Sequence, residues 1–171
     1  FRSIRNAVKR NKEDGFILGE VWKNPMRMGR GYIESGRGMD SVMNYMLVDG
    51  LIRYFKYSDI YKLSDILKQI KVEYPDDTIL SLMNFTSYQM SPEQYEKGKD
   101  LYQLYLYTLT FMPGILSIFY GDEVGLQGIG NLCNRKPFPW GSEDKDLVQF
   151  VQKIGAIRNK ERFLETASFD V

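Results

Sequence analysis

The chain has 171 residues, of which 43% are apolar, and its formal net charge is +1. Length and apolar content suffice for one folded domain with a core, and the near-neutral charge gives no reason to expect nucleic acid or an anionic membrane as a partner. Because the chain has no histidine, imidazole metal sites and Ser-His or Cys-His catalysis are excluded. Its one cysteine, Cys133, cannot form an intrachain disulfide, and with no secretion signal in view we expect a cytoplasmic protein.

Short apolar runs alternate with amphipathic segments, a pattern typical of an α/β fold with a parallel sheet. The first 12 residues predict a helix that is already under way at the first residue, so we interpret this beginning as a cut. Strands are predicted over residues 16–22 and 41–46. Apolar residues at helical spacing over residues 60–70 then predict a helix, which Pro75 ends.

The second half of the chain continues the alternation. A third strand is predicted over residues 78–85, a mostly apolar run of the kind found in strands buried on both faces. Ser91 and Pro92 predict a helix start, with serine as the N-cap and proline at the first helical position. A fourth strand is predicted over residues 115–120 and a last helix over residues 144–162. The predicted apolar face of the helix after Ser91 comprises Leu101, Leu104, Tyr105, Leu109 and Met112.

Glu20 is the one charged residue in the first predicted strand, near its end. A buried carboxylate is costly unless it is paired or lies in a wet cleft. In a (β/α)8 barrel, the carboxyl ends of the strands form the mouth of the active site. The position alone therefore leaves two interpretations, a salt-bridged glutamate at a barrel rim or a catalytic carboxyl.

Six segments resemble, in the same order, motifs of the α-amylase family, family 13 of the glycoside hydrolases. GEVW at residues 19–22 is similar to the fifth-strand motif of its neopullulanase and cyclomaltodextrinase branch. The others are DSVMNY at 40–45, LMNFTS at 82–87, FMPG at 111–114, FYGDEVG at 119–125 and NRKPFPW at 134–140, which resemble the sixth strand, the seventh strand, the seventh helix, the eighth strand and the loop after it. Their common register over nearly the whole chain makes the resemblance specific.

The resemblance implies an α/β fold, the second half of a TIM (β/α)8 barrel with about four βα units, strands five to eight. It implies a catalytic-barrel domain over residues 1–164 and the truncated start of a C-terminal β-sandwich over residues 165–171. The implied function is a retaining hydrolase of α-glucans such as starch, maltooligosaccharides, pullulan or cyclodextrins. We predict no cofactor and no metal ligand, and the sequence leaves a role for calcium in a full-length enzyme open.

By the same resemblance, Glu20 is the general acid/base, and Trp22, Asn44 and Tyr45 bind substrate. A retaining enzyme also needs a nucleophilic carboxylate about 5–5.5 Å from the acid. The acid must keep its proton near neutral pH, which an apolar setting favours, and the apolar neighbours of Glu20 in the sequence predict such a setting. For Trp22, packing at the barrel rim is an equal alternative.

The chain also departs from the family pattern. The strand-four motif that carries the nucleophile should lie just before Phe1 and is absent. The seventh-strand motif should continue into a His-Asp pair that stabilises the transition state, but Tyr88 follows Ser87, and an insertion before the seventh helix is missing. Either the chain is deleted there, or residues between Ser87 and Tyr88 are missing from the numbering, which is the account we favour. Met46 replaces the family's proline.

A second acidic segment, Asp122 and Glu123, is expected to be structural, because adjacent residues on an extended backbone point to opposite faces. Arginines of the loop over residues 26–38 are expected to be solvated. These arginines are Arg27, Arg30 and Arg37.

Three hypotheses remain at this stage. The chain is part of an α-glucan hydrolase, inactive in isolation because one carboxylic acid cannot form the glycosyl-enzyme intermediate; or it is a non-catalytic remnant or a sugar-binding half-barrel; or it is an unrelated α/β binding module, which the register of the motifs disfavours. A half-barrel leaves sheet edges bare, so it needs a partner, and a homodimer with a second copy is one possibility.

Overall fold

The computed structural model describes residues 2–22, 33, 38–74, 76–86, 92–128 and 135–171. The chain divides into two compact units. The first contains Phe1–Asn84, Pro113–Ile115 and Ala167–Val171, and the second contains Phe85–Met112 and Leu116–Thr166. Within the described ranges, no helix is long and apolar enough to cross a membrane.

The first unit alternates short strands with helices, as the sequence predicts. Its elements are α1 (Arg2–Asn11), β1 (Leu18–Gly19), β2 (Ser41–Val42), α2 (Tyr45–Tyr57), α3 (Ile60–Glu73), α4 (Asp76–Ser81) and β3 (Met83–Phe85), the last of which ends just inside the second unit. Strands β1 and β2 are parallel, with Gly19 opposite Val42. A parallel bridge between Met43 and Met83 continues the pairing toward β3. The predicted parallel arrangement is therefore confirmed for these three strands.

Helices α2 and α3 form the largest apolar core of the first unit. The buried side chains are Leu47, Val48 and Leu51 from α2 and Leu63, Ile66 and Ile70 from α3. Gly50 allows the close approach, since a Cβ atom there would lie 3.1 Å from Ile66 Cδ1. This core holds the helix that follows β2 and so fixes the position of its first residues.

All three predicted strands in this unit are wrong in their extent. The first was predicted over residues 16–22, but only Leu18–Gly19 forms a strand. The second stops at Val42, because the Asn44 side chain accepts a hydrogen bond from the Leu47 N–H and begins α2. The third was predicted over residues 78–85, but Asp76–Ser81 is helical and only Met83–Phe85 is extended. Short apolar runs do not distinguish a buried strand from a buried helical turn.

The second unit contains the two longest helices. Its elements are α5 (Pro92–Phe111), most of β4 (Ile115–Ser117), a 3-10 turn (Asp122–Val124), α6 (Lys145–Lys160) and a second 3-10 turn (Arg162–Glu165). Helix α5 begins at Pro92 as predicted and has a non-helical residue, Gly98, inside it. Helix α6 is capped by Asp144, whose carboxylate accepts from the Asp146 and Leu147 N–H groups at 3.1 and 3.0 Å.

The buried face of α5 differs from the predicted one. Leu101 and Leu104 are exposed, whereas Tyr105 and Leu109 are buried as expected, and Tyr102 and Leu106 join them. The carboxyl end of α5 is capped from α6, since the guanidinium of Arg158 donates to the carbonyl oxygens of Thr110 and Met112.

Candidate functional site

Glu20 follows β1 directly, at the carboxyl end of the strand, as predicted. Its side chain is exposed. The Tyr45 hydroxyl donates a hydrogen bond of 2.9 Å to Glu20 Oε1. Tyr45 is the first residue of α2 and comes just after β2, the parallel neighbour of β1. Two adjacent strands thus bring the carboxyl and the phenol together at their carboxyl ends.

Trp22 packs against Tyr45. Its ring stacks on that of Tyr45, with centroids 5.1 Å apart and an interplanar angle of 20°. The indole is 67% exposed. We call Glu20, Trp22 and Tyr45 the Glu20 cluster; it joins three of the four predicted site residues in one contact group that offers an acid, a hydroxyl and an open aromatic face.

Asn44, the fourth predicted site residue, is only 6% exposed. Its Nδ2 donates to Asn84 Oδ1 at 2.9 Å, and its Oδ1 caps α2 by accepting from the Leu47 N–H at 3.2 Å. Both ends of the amide are therefore used inside the fold. Its contact with substrate stays a prediction, while the structure shows it positioning the start of the helix that carries Tyr45.

Asn84 is a positioning residue that sequence reasoning missed. Its amide Nδ2 donates to the Pro113 carbonyl oxygen at 2.7 Å, and its Oδ1 accepts from Asn44. Gly114 packs against this amide, because a Cβ atom there would lie 2.8 Å from Asn84 Nδ2. The signal was an asparagine in an otherwise apolar strand, which must find partners when buried.

Asp40 fixes the strand that carries Glu20. Its carboxylate accepts from the Ile17 N–H at 2.8 Å and from the Arg5 guanidinium at 2.7 Å, and Lys9 Nζ lies 3.2 Å away. Partial burial acts to raise the pKa of this carboxyl, but the hydrogen bonds from Arg5, Ile17 and Lys9 outweigh it and hold the pKa below its usual value. Ionised Asp40 thus links α1, β1 and the start of β2.

Among the described residues, no apolar enclosure surrounds Glu20. Phe16 and Leu18 are exposed, as are Glu20 itself and Trp22. Alternation along a strand places Leu18, two residues before Glu20, on the same side as the carboxyl, but Leu18 is itself exposed and does not bury it.

Asp122, in the second unit, has a buried carboxyl, whereas that of Glu20 is exposed. It lies in a 3-10 turn rather than on the extended backbone expected from the sequence, and it is 1% exposed. Neither carboxyl oxygen has a hydrogen-bond partner among the described residues, although the nearby Thr86 hydroxyl acts to lower the pKa of the carboxyl. Burial, opposed by Thr86 and reinforced by the charge of Glu123, raises the pKa of Asp122 to about 7.

The described ranges contain no group of three or more acidic, histidine or cysteine side chains that could hold a metal ion. The Ser87–Tyr88 junction, the three loop arginines and Cys133 lie outside the described residues.

Comparisons with known proteins connect the chain to α-glucan enzymes. A curated cyclomaltodextrinase from Geobacillus thermopakistaniensis (strain MAS1) is 33% identical over 172 residues, which cover 96% of this chain and 28% of the relative. Other curated homologues are named maltogenic α-amylase, amylopullulanase and neopullulanase. These names are those of glycoside hydrolase family 13, as the resemblance implies. No family model matches the chain.

Solved structures agree with this result. A cyclomaltodextrinase structure matches with a TM-score of 0.86 at 28% identity, over 99% of this chain and 29% of that one. A cyclic α-maltosyl-(1→6)-maltose hydrolase from Arthrobacter globiformis matches with a TM-score of 0.85 at 24% identity, over 98% of this chain and 38% of that one, and shows the fold alone. The chain therefore has the fold of a portion of a TIM-barrel glycoside hydrolase and spans less than a third of the length of the first curated relative.

Proposed function

We propose that this chain supplies the acid/base carboxyl, Glu20, of a retaining glycoside hydrolase that acts on α-glucans, and that it forms the four βα units of strands five to eight. The observation that carries the proposal is the Glu20 cluster: an exposed carboxyl at a strand end, hydrogen-bonded to Tyr45 beside the open face of Trp22. The names of the homologues, with cyclomaltodextrin, maltogenic and pullulan activities, support the substrate class.

Glu20 would act first as an acid and then as a base. Its protonated carboxyl would donate to the glycosidic oxygen as the bond to the anomeric carbon breaks, and its carboxylate would later take a proton from the attacking water. The Tyr45 hydroxyl would orient the carboxyl, and Trp22 would stack on a sugar ring. Asn44 would then serve mainly by capping α2, which carries Tyr45.

The nucleophile and the transition-state aspartate would come from elsewhere. The alignment to the amylopullulanase from Thermoanaerobacter thermohydrosulfuricus runs over 200 residues, more than this chain contains, so that relative has residues with no counterpart here. That these residues would fall near Ser87 stays a prediction, and residues 1–164 and 165–171 would belong to the barrel and to a following β-sandwich. The chain alone should hydrolyse neither starch nor cyclodextrin.

A second candidate is a sugar-binding or non-catalytic half-barrel that associates with a second copy. The exposure of Glu20, Phe16 and Leu18 favours it, since an exposed carboxyl lacks the enclosure that an acid needs.

One experiment distinguishes the hydrolase from the sugar-binding half-barrel. The product of the complete gene is assayed with maltoheptaose, alongside its Glu20→Gln variant. Hydrolysis that falls at least about a hundredfold in the variant supports the acid/base role. No hydrolysis by the unmutated product, together with retained binding of maltoheptaose, supports the sugar-binding half-barrel instead. Sequencing of the transcript across Ser87–Tyr88 decides between a deletion and missing residues.

A further inference from the structure

The loop after β4 presents a second aromatic surface that the proposed chemistry does not use. Trp140 is 82% exposed, and its ring lies 4.4 Å from that of Phe138 at an interplanar angle of 48°. Both residues belong to the second unit, whereas Trp22 and the rest of the Glu20 cluster belong to the first. An exposed indole beside a second ring is costly to leave in water and is a feature of binding surfaces.

Short-range hydrogen bonds hold this loop in shape. The Trp140 N–H donates to the Phe138 carbonyl oxygen, and the Ser142 N–H to that of Pro139, both at 2.9 Å. Gly141 has a φ of +80°, which favours glycine, and no atom would contact a Cβ there. Two prolines further restrict the backbone. The rings are thus preorganised, so binding would cost little ordering entropy.

Two polar contacts belong to the same loop. The Gly141 N–H donates to Glu143 Oε1 at 3.0 Å. Hydrogen bonds from the backbone N–H groups of Glu143 and Gly141 lower the pKa of the Glu143 carboxyl, which is therefore an ionised acceptor at neutral pH. The Tyr120 hydroxyl donates to the Lys136 carbonyl oxygen at 3.2 Å and joins a further pair of rings, Tyr120 and Phe119, to the loop.

We propose that Phe138 and Trp140 form an aromatic platform that binds the apolar face of a glucose ring in an α-glucan, with Glu143 as an acceptor for a sugar hydroxyl. A pyranose has one face of C–H groups and a rim of hydroxyls, so it matches an aromatic surface with a fixed polar neighbour. Stacking removes apolar area from water on both partners. The choice of an α-glucan rests on the proposed function, and the platform itself rests on the geometry of residues 136–143.

The chain has two tryptophans, Trp22 in the Glu20 cluster and Trp140 in the platform. Sugar binding at each surface can therefore be followed separately by tryptophan emission. In the full 171-residue chain, Trp22→Phe leaves Trp140 as the sole indole, and Trp140→Phe leaves Trp22. Each variant is titrated with maltoheptaose while tryptophan emission is recorded, and far-UV circular dichroism checks folding. The platform predicts a saturable change in Trp140 emission.

A third variant tests the second ring. Phe138→Ala in the Trp22→Phe background should weaken binding at Trp140 by about threefold to tenfold, the equivalent of one aromatic contact. Tyr61→Ala, which removes an exposed ring from α3, is the control and should leave binding unchanged.

Unchanged Trp140 emission up to saturating sugar would overturn the platform, whatever Trp22 does. Emission that shifts with protein concentration alone would also overturn it, because the rings would then be a self-association surface. A silent Trp22 beside a responding Trp140 would count against the proposed function and leave the platform standing.

Discussion

Glu20 and Asp122 each follow a glycine that ends or comes after a short strand, but the two carboxyls differ in exposure and in hydrogen bonding. Glu20 follows Gly19 in the first unit, is exposed, and accepts a hydrogen bond from Tyr45. Asp122 follows Gly121 in the second unit, is buried, and has no hydrogen-bond partner among the described residues. Similar local sequence therefore yields one carboxyl available for chemistry and one whose ionisation opposes folding.

The largest expected effect comes from neutralising the buried carboxyl. The pKa of Asp122 is raised from 3.8 to about 7, so the folded state holds a proton that the unfolded state releases. Stability from this group is complete below pH about 4 and is lost as the pH rises through about 7. Asp122→Asn should therefore stabilise the chain at pH 8 by up to about 4 kcal/mol and have little effect at pH 4.

Urea denaturation of both proteins across this pH range measures the difference. Asp65→Asn, which removes an exposed carboxyl from α3, is the control and should show no such trend. A stability difference for Asp122→Asn that does not grow with pH would contradict this description of the site.

Replacement of Gly19 or Gly121 by alanine should destabilise the chain for different physical reasons. Gly121 has a φ of +92°, and a Cβ atom there would lie 2.8 Å from Leu126 Cβ. Gly121→Ala should therefore cost about 2–3 kcal/mol, most of it backbone strain. At Gly19, φ is not in the left-handed region, and the obstacle to a Cβ atom is the side chain of Met39, whose Sδ would lie 1.8 Å away.

A double-mutant cycle separates the two causes. The cost of Gly19→Ala should be at least about 1 kcal/mol smaller in a Met39→Ala background, because the clash is removed. For Gly121→Ala, a Leu126→Ala background should recover little. Equal recovery at both positions, measured by thermal or urea unfolding, would show that strain at Gly121 is not the main cost.

Asp40 should show the opposite pH dependence to Asp122. Its pKa is lowered in the fold by its hydrogen bonds, so its contribution is present above the unfolded pKa and is lost as the pH falls. Asp40→Asn should cost about 1–2 kcal/mol at pH 7 and less in acid. Asp49→Asn, in an exposed pair with Arg53, should cost less than about 0.5 kcal/mol. A cost for Asp40→Asn that grows in acid would contradict the assignment.

The smallest effect is expected at Tyr45. Tyr45→Phe removes the hydroxyl that donates to Glu20 but keeps the ring that stacks on Trp22. Because the bond is exposed, stability should change by less than about 0.5 kcal/mol, and the near-ultraviolet circular dichroism of Trp22 should be retained. Loss of that signal would show that the hydroxyl, rather than stacking, orders the indole.

Local signals in the sequence predicted much of this fold. Pro92 begins α5, Asp144 caps α6, and Glu20 lies at the end of β1, all as expected. These features depend on a few neighbouring residues and can therefore be predicted from the sequence alone.

Features set by tertiary contacts were not predictable. The helical conformation of Thr78–Ser81 and the exposure of Leu104 depend on which elements pack against them. The same holds for the site. Nothing in the spacing of Glu20 and Tyr45 indicates that their side chains meet, because the contact requires β1 and β2 to pair in one register. The described residues do not enclose Glu20, because Phe16, Leu18 and Trp22 are themselves exposed.

We propose that Glu20 protonates the leaving group. The most direct test compares a substrate whose leaving group needs a proton with one whose leaving group does not. In the complete gene product, Glu20→Gln is compared with the unmutated protein on maltoheptaose and on α-maltosyl fluoride. Fluoride leaves without protonation, so kcat/KM of the variant should fall by at least about a hundredfold on maltoheptaose and change little on the fluoride. The kcat on the fluoride should fall, because the attacking water still lacks its base. Equal loss of kcat/KM on both substrates, or no loss on maltoheptaose, would contradict the assignment.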